Sequence, residues 1–222
     1  LLVSARDVVG GMSYVGSLKD DISANELEEL VEKNKKLFKG YELKGKVLGV
    51  AGLGAIGSAV ARTGLDIGMT VTGFDPALSV EAAWRVPSEV ERKNTIEDLF
   101  ADADFISLHV PLLEETRGLV DADILKNAKP GLVILNFARE PIVDNQAVIK
   151  AIQGGVVRKY VSDFPVIELL NNESVVFTPH LGASTVEAEE NCAEMAVEQL
   201  VEFLETGNIV NSVNFPTVSM NR

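Results

Sequence analysis

Short apolar runs alternate along this chain with segments in which apolar residues recur every three or four positions. Val47–Ala51 is apolar on both faces and lies between glycines, as expected for a buried parallel strand. Thr70–Phe74 and Leu132–Asn136 predict two more strands, and further strands are predicted at residues 156–161 and 175–178. Residues 104–111 predict a strand that runs into a loop. Because helical segments separate these strands, the pattern predicts an α/β fold with a doubly wound parallel sheet.

The helical segments carry start and stop signals. Residues 55–67 have apolar side chains at helical spacing, and Gly68 can end that helix. Ser23 followed by Glu26 fits a capping box. The polar segment around Trp84 predicts no regular element. Further helices are predicted at residues 1–18, 96–100, 123–128, 144–152 and 184–205.

Three glycines follow the first buried strand, at the turn into a predicted helix. Gly52 would permit the tight turn, Gly54 would let the backbone approach a pyrophosphate, and Gly57 would let the helix pack on the strand. Asp75 ends the next strand. A carboxylate at that position can accept hydrogen bonds from both ribose hydroxyls and would repel a 2′-phosphate. The pattern predicts a Rossmann-like fold that binds NAD rather than NADP, against the alternative of a glycine-rich turn without a ligand.

The composition narrows the choice of partners and compartment. The 222 residues carry a formal net charge of −13, which argues against nucleic acid or an anionic membrane as the main partner. A small anionic substrate would therefore need a local cation. Cys192 is the only cysteine, at helical spacing among apolar residues, which predicts a packing role and favours a reducing, cytoplasmic compartment. The sequence has no run of transmembrane length and no metal-ligand cluster.

Three ionisable residues follow strand ends, where ligands bind in sheets of this kind. Arg139 can clamp a carboxylate through two parallel hydrogen bonds, and His180 can take a proton from a substrate hydroxyl. Glu168 can orient the imidazole and raise its pKa. Taken alone, Arg139 could be a surface arginine, Glu168 a solvated loop acid and His180 a structural histidine. His109 also ends a strand and is expected to form a wall near the cofactor.

Together these motifs resemble the D-isomer-specific 2-hydroxyacid dehydrogenase family. The segments that carry the resemblance are residues 52–57, 108–112, 115–119, 136–139 and 178–185. The ending at residues 211–216 is similar to the branch that oxidises 3-phosphoglycerate in the first step of serine biosynthesis. The resemblance implies an NAD-dependent oxidoreductase for a D-2-hydroxy acid, working as a homodimer.

The resemblance also implies roles for individual residues. The family's catalytic arginine, glutamate and histidine fall on Arg139, Glu168 and His180, and its nicotinamide-carboxamide aspartate falls on Asp163. The residues then expected to contact the cofactor are Gly52, Gly54, Ala55, Ile56, Gly57, Asp75, His109, Val110, Pro111, Thr116, Phe137, Ala138, Arg139, Asp163, His180, Gly182 and Ala183.

The resemblance further implies a division into two domains. Residues 1–183 are expected to form the NAD-binding domain. Residues 184–222 are expected to be a crossover helix and tail that belong to a second, substrate-binding domain, most of which would precede Leu1. On this interpretation the chain alone binds cofactor without turnover. The helix with Gly10 and Gly11 is the expected place for dimer contacts.

Two departures from the family pattern bear on activity. Glu140-Pro141 stand where the family usually has glycine after the arginine, and Glu140 could compete for Arg139. If Phe164-Pro165 sets the register, Ile167 takes the place of the catalytic glutamate and Glu168 is one residue away. These departures keep open the alternative of a non-catalytic protein that senses NAD or scaffolds partners. A glyoxylate- or hydroxypyruvate-type reductase also stays open, because the resemblance places most of the choice of substrate in the second domain.

Overall fold

A seven-stranded parallel sheet forms the centre of the larger part of the chain. The computed structural model describes residues 1–212, 214–215 and 218–220. The strands are β1 (Val47–Ala51), β2 (Thr70–Phe74), β3 (Glu91–Arg92), β4 (Phe105–Leu108), β5 (Leu132–Asn136), β6 (Val157–Ser162) and β7 (Val175–Phe177). Their order is β3-β2-β1-β4-β5-β6-β7, and every pairing is parallel. This is the doubly wound arrangement, which confirms the predicted fold class.

Helices precede, connect and follow the strands. The α-helices are α1 (Leu2–Ala5), α2 (Val8–Gly16), α3 (Ala24–Asn34), α4 (Ala55–Asp66), α5 (Val80–Ala83), α6 (Ile96–Asp102), α7 (Ala122–Lys126), α8 (Asn145–Gln153) and α9 (Val186–Thr206). Of these, α4, α6, α7, α8 and α9 begin and end within two residues of the predicted bounds. Short 3-10 helices occur at Lys35–Phe38, Glu114–Thr116, Glu140–Ile142 and Ile167–Leu169. The capping box is present, since the Ser23 hydroxyl accepts from the Glu26 N–H and the Glu26 carboxylate accepts from the Ser23 N–H.

Apolar side chains from alternate strand positions build a core on each face of the sheet. Ile106 and Ile134 lie on one face, in a core that includes Phe100 of α6 and Val148 of α8. The neighbouring positions Phe105 and Val133 lie on the other face, in a core that also includes Ala61 of α4. A strand buried on both faces needs apolar residues at successive positions, which is why β1, β4 and β5 read as continuous runs.

The structure differs from the sequence-based prediction in three places. Residues 1–18 form two helices rather than one, because the chain is extended at Arg6. The polar segment after Asp75 contains α5 and β3, which no apolar pattern in the sequence predicts. The predicted packing role of Cys192 is wrong for the described structure, where that residue is exposed.

The chain divides into two compact units, Leu1–Pro179 and His180–Arg222. The second unit consists of α9 and the segment after it, where Ile209 and Val218 pair in an antiparallel bridge. Thr185 caps the start of α9, and Gly207 ends it with φ +77°. No residue of α9 is buried, and its larger apolar side chains, such as Met195, Val197 and Leu204, are exposed. The predicted extended tail at 211–216 lies partly outside the described residues.

Candidate functional site: a dinucleotide cleft at the carboxyl edge of the sheet

The three glycines of the turn between β1 and α4 differ in the space that a side chain would have at each position. Gly52 has φ +89°, and a Cβ there would lie 2.7 Å from the carbonyl of His109. A Cβ on Gly57 would lie 1.9 Å from the carbonyl oxygen of Gly52, so only glycine lets α4 approach the turn. A Cβ on Gly54 would meet no protein atom within 4 Å. The open side of the turn is therefore at Gly54.

The start of α4 offers donors beside that open side. Gly54 is the N-cap residue and has no side chain to accept hydrogen bonds from the first-turn N–H groups. Ala55 and Ile56, the next two residues, are exposed. Unpaired N–H groups and the helix dipole make such a terminus suitable for a phosphate group.

Asp75 is held against the glycine turn. Its Oδ2 accepts a hydrogen bond of 2.8 Å from the Leu53 N–H, and its Oδ1 accepts from the Ala77 N–H at 3.0 Å. The carboxylate also lines a cleft of about 360 Å³, together with apolar side chains such as Leu53 and Leu78. A half-buried acid beside an apolar slot can accept from ribose hydroxyls while the slot holds a planar base.

A second cleft, of about 430 Å³, lies beyond the strand ends. It brings together seven residues predicted to contact the cofactor, which come from the start of α4, the loop after β4 and the loop after β5. These are Ile56, His109, Val110, Pro111, Phe137, Ala138 and Arg139. Leu112 also lines it and is absent from the predicted set. The cleft is mostly apolar and has one cation, Arg139, at its edge.

His109 is a neutral wall of this cleft. Its Nε2 lies 2.8 Å from the Ser107 hydroxyl, and burial lowers the pKa of His109 to about 4. The ring is therefore uncharged at neutral pH and cannot act as a cationic clamp. The role of His109 as a wall beside the cofactor stays a prediction.

We expect acid to destabilise the fold through His109. The unfolded imidazole binds a proton below about pH 6.5 and the folded one only near pH 4, so stability falls as the pH drops across that window. The loss is at most roughly 3 kcal/mol. Urea unfolding at pH 7.5, 5.5 and 4.5 measures it, and His109→Gln should reduce the slope. Equal slopes for wild type and His109→Gln would contradict the account.

Arg139 is presented by a loop that a buried asparagine organises. Asn136 is fully buried; its Nδ2 donates to the Arg139 carbonyl at 3.0 Å, and its Oδ1 accepts from the Ala138 N–H at 3.1 Å. The Arg139 Nη1 donates to the Ala138 carbonyl at 2.6 Å, and the side chain is exposed. Within the described residues, Arg139 takes part in no ion pair. Its guanidinium can therefore meet an external carboxylate.

Glu140 does not engage Arg139. Its Oε1 accepts a hydrogen bond of 2.7 Å from the Asn145 side chain. The non-glycine residues with positive φ in the described chain are Asn171, His180 and Asn211, so Glu140 avoids the region that favours glycine. Glu140-Pro141 begins a short 3-10 helix instead. The expected competition for the arginine is thus absent.

Two predicted cofactor residues make internal hydrogen bonds. Asp163 is 2% exposed at the end of β6, and its carboxylate accepts from the Thr178 hydroxyl. The Thr116 hydroxyl donates to the Pro111 carbonyl at 2.6 Å and accepts from the Leu113 N–H at 2.8 Å. Thr116 therefore shapes the loop that carries Pro111.

Glu168 and Ile167 both lie at the surface. They belong to the 3-10 helix after β6, which Leu169 anchors with 1% exposure. Ile167 is 84% exposed, and Glu168 is exposed as well. Leu169 packs inward and leaves the two preceding side chains accessible. Burial therefore favours neither Ile167 nor Glu168 for the position of the family's catalytic glutamate.

His180 opens the second unit in an uncommon backbone conformation. Its φ is +56°, in the left-handed region, where asparagine, aspartate and histidine are enriched among non-glycine residues. His180, Gly182 and Ala183 are exposed in the segment that leads to α9. Strain of this kind clusters at functional sites.

The sequence does not identify the buried polar residues that support the site, Asn136 and Tyr160. In the sequence Asn136 stands out only as part of a motif, although in the structure it fixes the Arg139 loop. Tyr160 lies within 3.4 Å of the Asn136 amide, and burial raises the pKa of its hydroxyl. Polar residues inside otherwise apolar strands were the available signal, because a buried amide needs partners.

The residues present fit an NAD molecule. The turn is open at Gly54, Asp75 is oriented beside an apolar slot, and the second cleft leads from the turn to Arg139. Residues 15–182 match the sequence profile described as D-isomer specific 2-hydroxyacid dehydrogenase, NAD binding domain. The chain therefore belongs to that family and carries its NAD-binding domain.

Known proteins of this family are similar over most of the chain. D-3-phosphoglycerate dehydrogenase of Bacillus subtilis is 36% identical over 194 residues, which is 85% of this chain and 36% of the relative. The NAD-bound 3-phosphoglycerate dehydrogenase of Entamoeba histolytica has a TM-score of 0.68 and 32% identity, over 80% of this chain and 57% of that one. D-mandelate dehydrogenase of Rhodotorula graminis has a TM-score of 0.81 at 24% identity, over 99% of this chain and 64% of that chain, which supports the fold alone.

This chain spans about a third of the length of the phosphoglycerate dehydrogenase relatives it matches. In the described residues, no helix has the length and apolar character needed to cross a membrane.

Proposed function

We propose that the protein oxidises D-3-phosphoglycerate to 3-phosphohydroxypyruvate with NAD, the first step of serine biosynthesis. The observation that carries this proposal is the cleft that joins the cofactor walls to Arg139. The identity of 36–41% to D-3-phosphoglycerate dehydrogenases supports the choice of substrate within the family. NAD, when bound, supplies the acceptor for the hydride that leaves the hydroxyl-bearing carbon.

The chain's own residues supply binding and proton transfer. Arg139 binds the substrate carboxylate through two parallel hydrogen bonds, since its guanidinium has no competing ion pair among the described residues. His180 takes the hydroxyl proton as the carbonyl forms and returns it in the reverse direction. Glu168 holds the imidazole and stabilises its protonated form. The apolar walls exclude water from the reacting atoms.

We assign residues 1–183 to the NAD-binding domain and 184–222 to the substrate domain. The exposed apolar side chains of α9 support this, because a helix with apolar residues at helical spacing and none buried requires a further surface to pack on. The exposed apolar residues of α1 and α2, such as Val9 and Met12, support a homodimer contact at that end. We place the protein in the cytoplasm.

The activity is tested with the natural full-length protein. We expect 3-phosphoglycerate to drive the appearance of NADH at 340 nm, and D-lactate and glycolate to do so at least tenfold more slowly in kcat/KM. A folded, NAD-binding protein that oxidises no 2-hydroxy acid would refute the enzyme proposal and favour a sensor. A preference for glycolate or glycerate would move the assignment to a glyoxylate- or hydroxypyruvate-type reductase.

A further inference from the structure

Two adjoining cavities lie at the opposite edge of the sheet from the glycine turn. The smaller, about 180 Å³, is lined by residues that precede or begin parallel strands, among them Lys46, Asp104, Gly131 and Arg158. The larger, about 550 Å³, lies beside the 3-10 helix at Lys35–Phe38. Tyr41 lines both. We refer to the two together as the amino-edge groove.

Positive charge dominates this groove in a strongly acidic chain. Its cations are Arg6, Lys35, Lys36, Lys39, Lys46 and Arg158. Glu42 and Asp104 are the carboxylates in its lining. The net charge of the whole chain is −13, so this concentration of cations opposes the overall field.

Most of these cations have no carboxylate partner. Asp104 is already occupied, with Oδ1 at 2.8 Å from the Lys129 Nζ and Oδ2 accepting from the Val47 N–H at 2.9 Å. Lys35 pairs with Glu32 outside the groove. The ion pairs found in the described residues include none of the other five groove cations. Asp104 also attracts Lys46 electrostatically, so the cations of the groove outnumber its acids but are not wholly unopposed.

The groove is also held in shape. The Arg158 guanidinium carbon lies 4.0 Å from the centre of the Tyr41 ring, a cation–π contact that fixes the plane of the fork. The Tyr41 N–H donates to the Ala5 carbonyl at 2.9 Å. A Cβ on Gly40 would lie 2.3 Å from that same carbonyl, so the lysine-bearing segment packs tightly against the chain at Arg6. Ordered donors lose less freedom on binding than free surface side chains.

We propose that the amino-edge groove binds a small soluble compound with two or more phosphate groups. An ordered guanidinium fork and several ammonium groups suit phosphate oxygens, and a volume of this size suits a small molecule. The overall negative charge disfavours a long polyanion such as nucleic acid. Strands of five residues at about 3.3 Å each place this groove roughly 15 Å or more from the glycine turn.

Calorimetric titration of the chain with inorganic pyrophosphate, in saturating NAD, tests the proposal. NAD occupies the glycine turn, so pyrophosphate should bind elsewhere, at one site per chain with a Kd below about 1 mM at 0.1 M salt. Lys39→Gln and Arg158→Gln should each weaken binding at least fivefold, and Arg158→Lys should weaken it less than Arg158→Gln. Lys150→Gln removes the same charge from α8 and should leave the affinity unchanged.

Several outcomes would overturn the site. One is the absence of saturable binding in the NAD-loaded chain. Another is equal weakening by Lys39→Gln and Lys150→Gln, which would reveal attraction by general charge only. Lys39 is exposed, and circular dichroism of its variant checks that the fold is kept. If pyrophosphate binds only when NAD is left out, it occupies the cofactor turn and the groove is not its site.

Discussion

Replacing Gly57 by alanine is expected to destabilise the chain by roughly 3 kcal/mol or more and to abolish NAD binding. The added Cβ would lie 1.9 Å from the Gly52 carbonyl oxygen. Both atoms belong to rigid parts, a helix and a tight turn, so relief requires α4 to move away from β1. That movement disturbs the donors at the helix start. Urea unfolding and calorimetric titration with NAD measure the two effects.

Gly54→Ala is the matched control for this substitution. A Cβ there meets no protein atom within 4 Å, and the φ of −63° suits alanine. Stability should therefore change by less than about 0.5 kcal/mol. The methyl group would occupy the open side of the turn, so NAD affinity should still fall at least tenfold. If Gly54→Ala binds NAD as tightly as the wild type, the pyrophosphate does not lie over this turn.

His180→Asn in the natural full-length protein is expected to lower kcat by 10²- to 10⁴-fold while the NAD affinity changes little. The loss is that of the general base, since an amide cannot take the hydroxyl proton. Asparagine is the better replacement than alanine because His180 has φ +56°, a conformation that asparagine tolerates. The backbone should then keep its course, and only the imidazole is lost.

The kcat and NAD affinity of His180→Asn also distinguish an enzyme from a non-catalytic protein that senses NAD. An unchanged kcat in His180→Asn would remove the histidine from the mechanism. If His180→Ala loses much more stability than His180→Asn, the left-handed conformation is the cause, and the asparagine variant is the one to interpret. A protein with no turnover in either form, but normal NAD affinity, would fit the non-catalytic alternative.

Much of the sheet could be predicted because its central strands are buried on both faces. Val47–Ala51, Thr70–Phe74 and Leu132–Asn136 have the predicted bounds. β3 could not be predicted, since Glu91 and Arg92 are exposed and charged, and their extended form depends on pairing with Thr72 and Gly73 of β2. Tertiary pairing, rather than local pattern, creates that strand.

The α9 helix shows the converse of β3, an apolar pattern in the sequence without burial in the structure. Its apolar spacing predicts burial, but no residue of α9 is buried and Cys192 is exposed. A periodic pattern indicates that a face can be buried, and it does not indicate which partner covers that face.

The candidate site could be predicted as a set of residues but not as a geometry. Strand ends gave the positions of Arg139 and His109, because parallel strands finish at one edge. The partner of Glu140 could not be foreseen, since the choice between Arg139 and Asn145 depends on how the 3-10 helix turns. The same holds for Asn136, whose two hydrogen bonds to the Arg139 loop exist only in the folded chain.

Calorimetric titration of this chain with NAD and then with NADP tests most directly whether a dinucleotide lies across the carboxyl edge of the sheet. We predict one NAD per chain and at least tenfold weaker binding of NADP, because Asp75 would meet the 2′-phosphate. Asp75→Asn should narrow that difference. Equal affinity for the two dinucleotides, or no binding of NAD by the folded chain, would contradict this account.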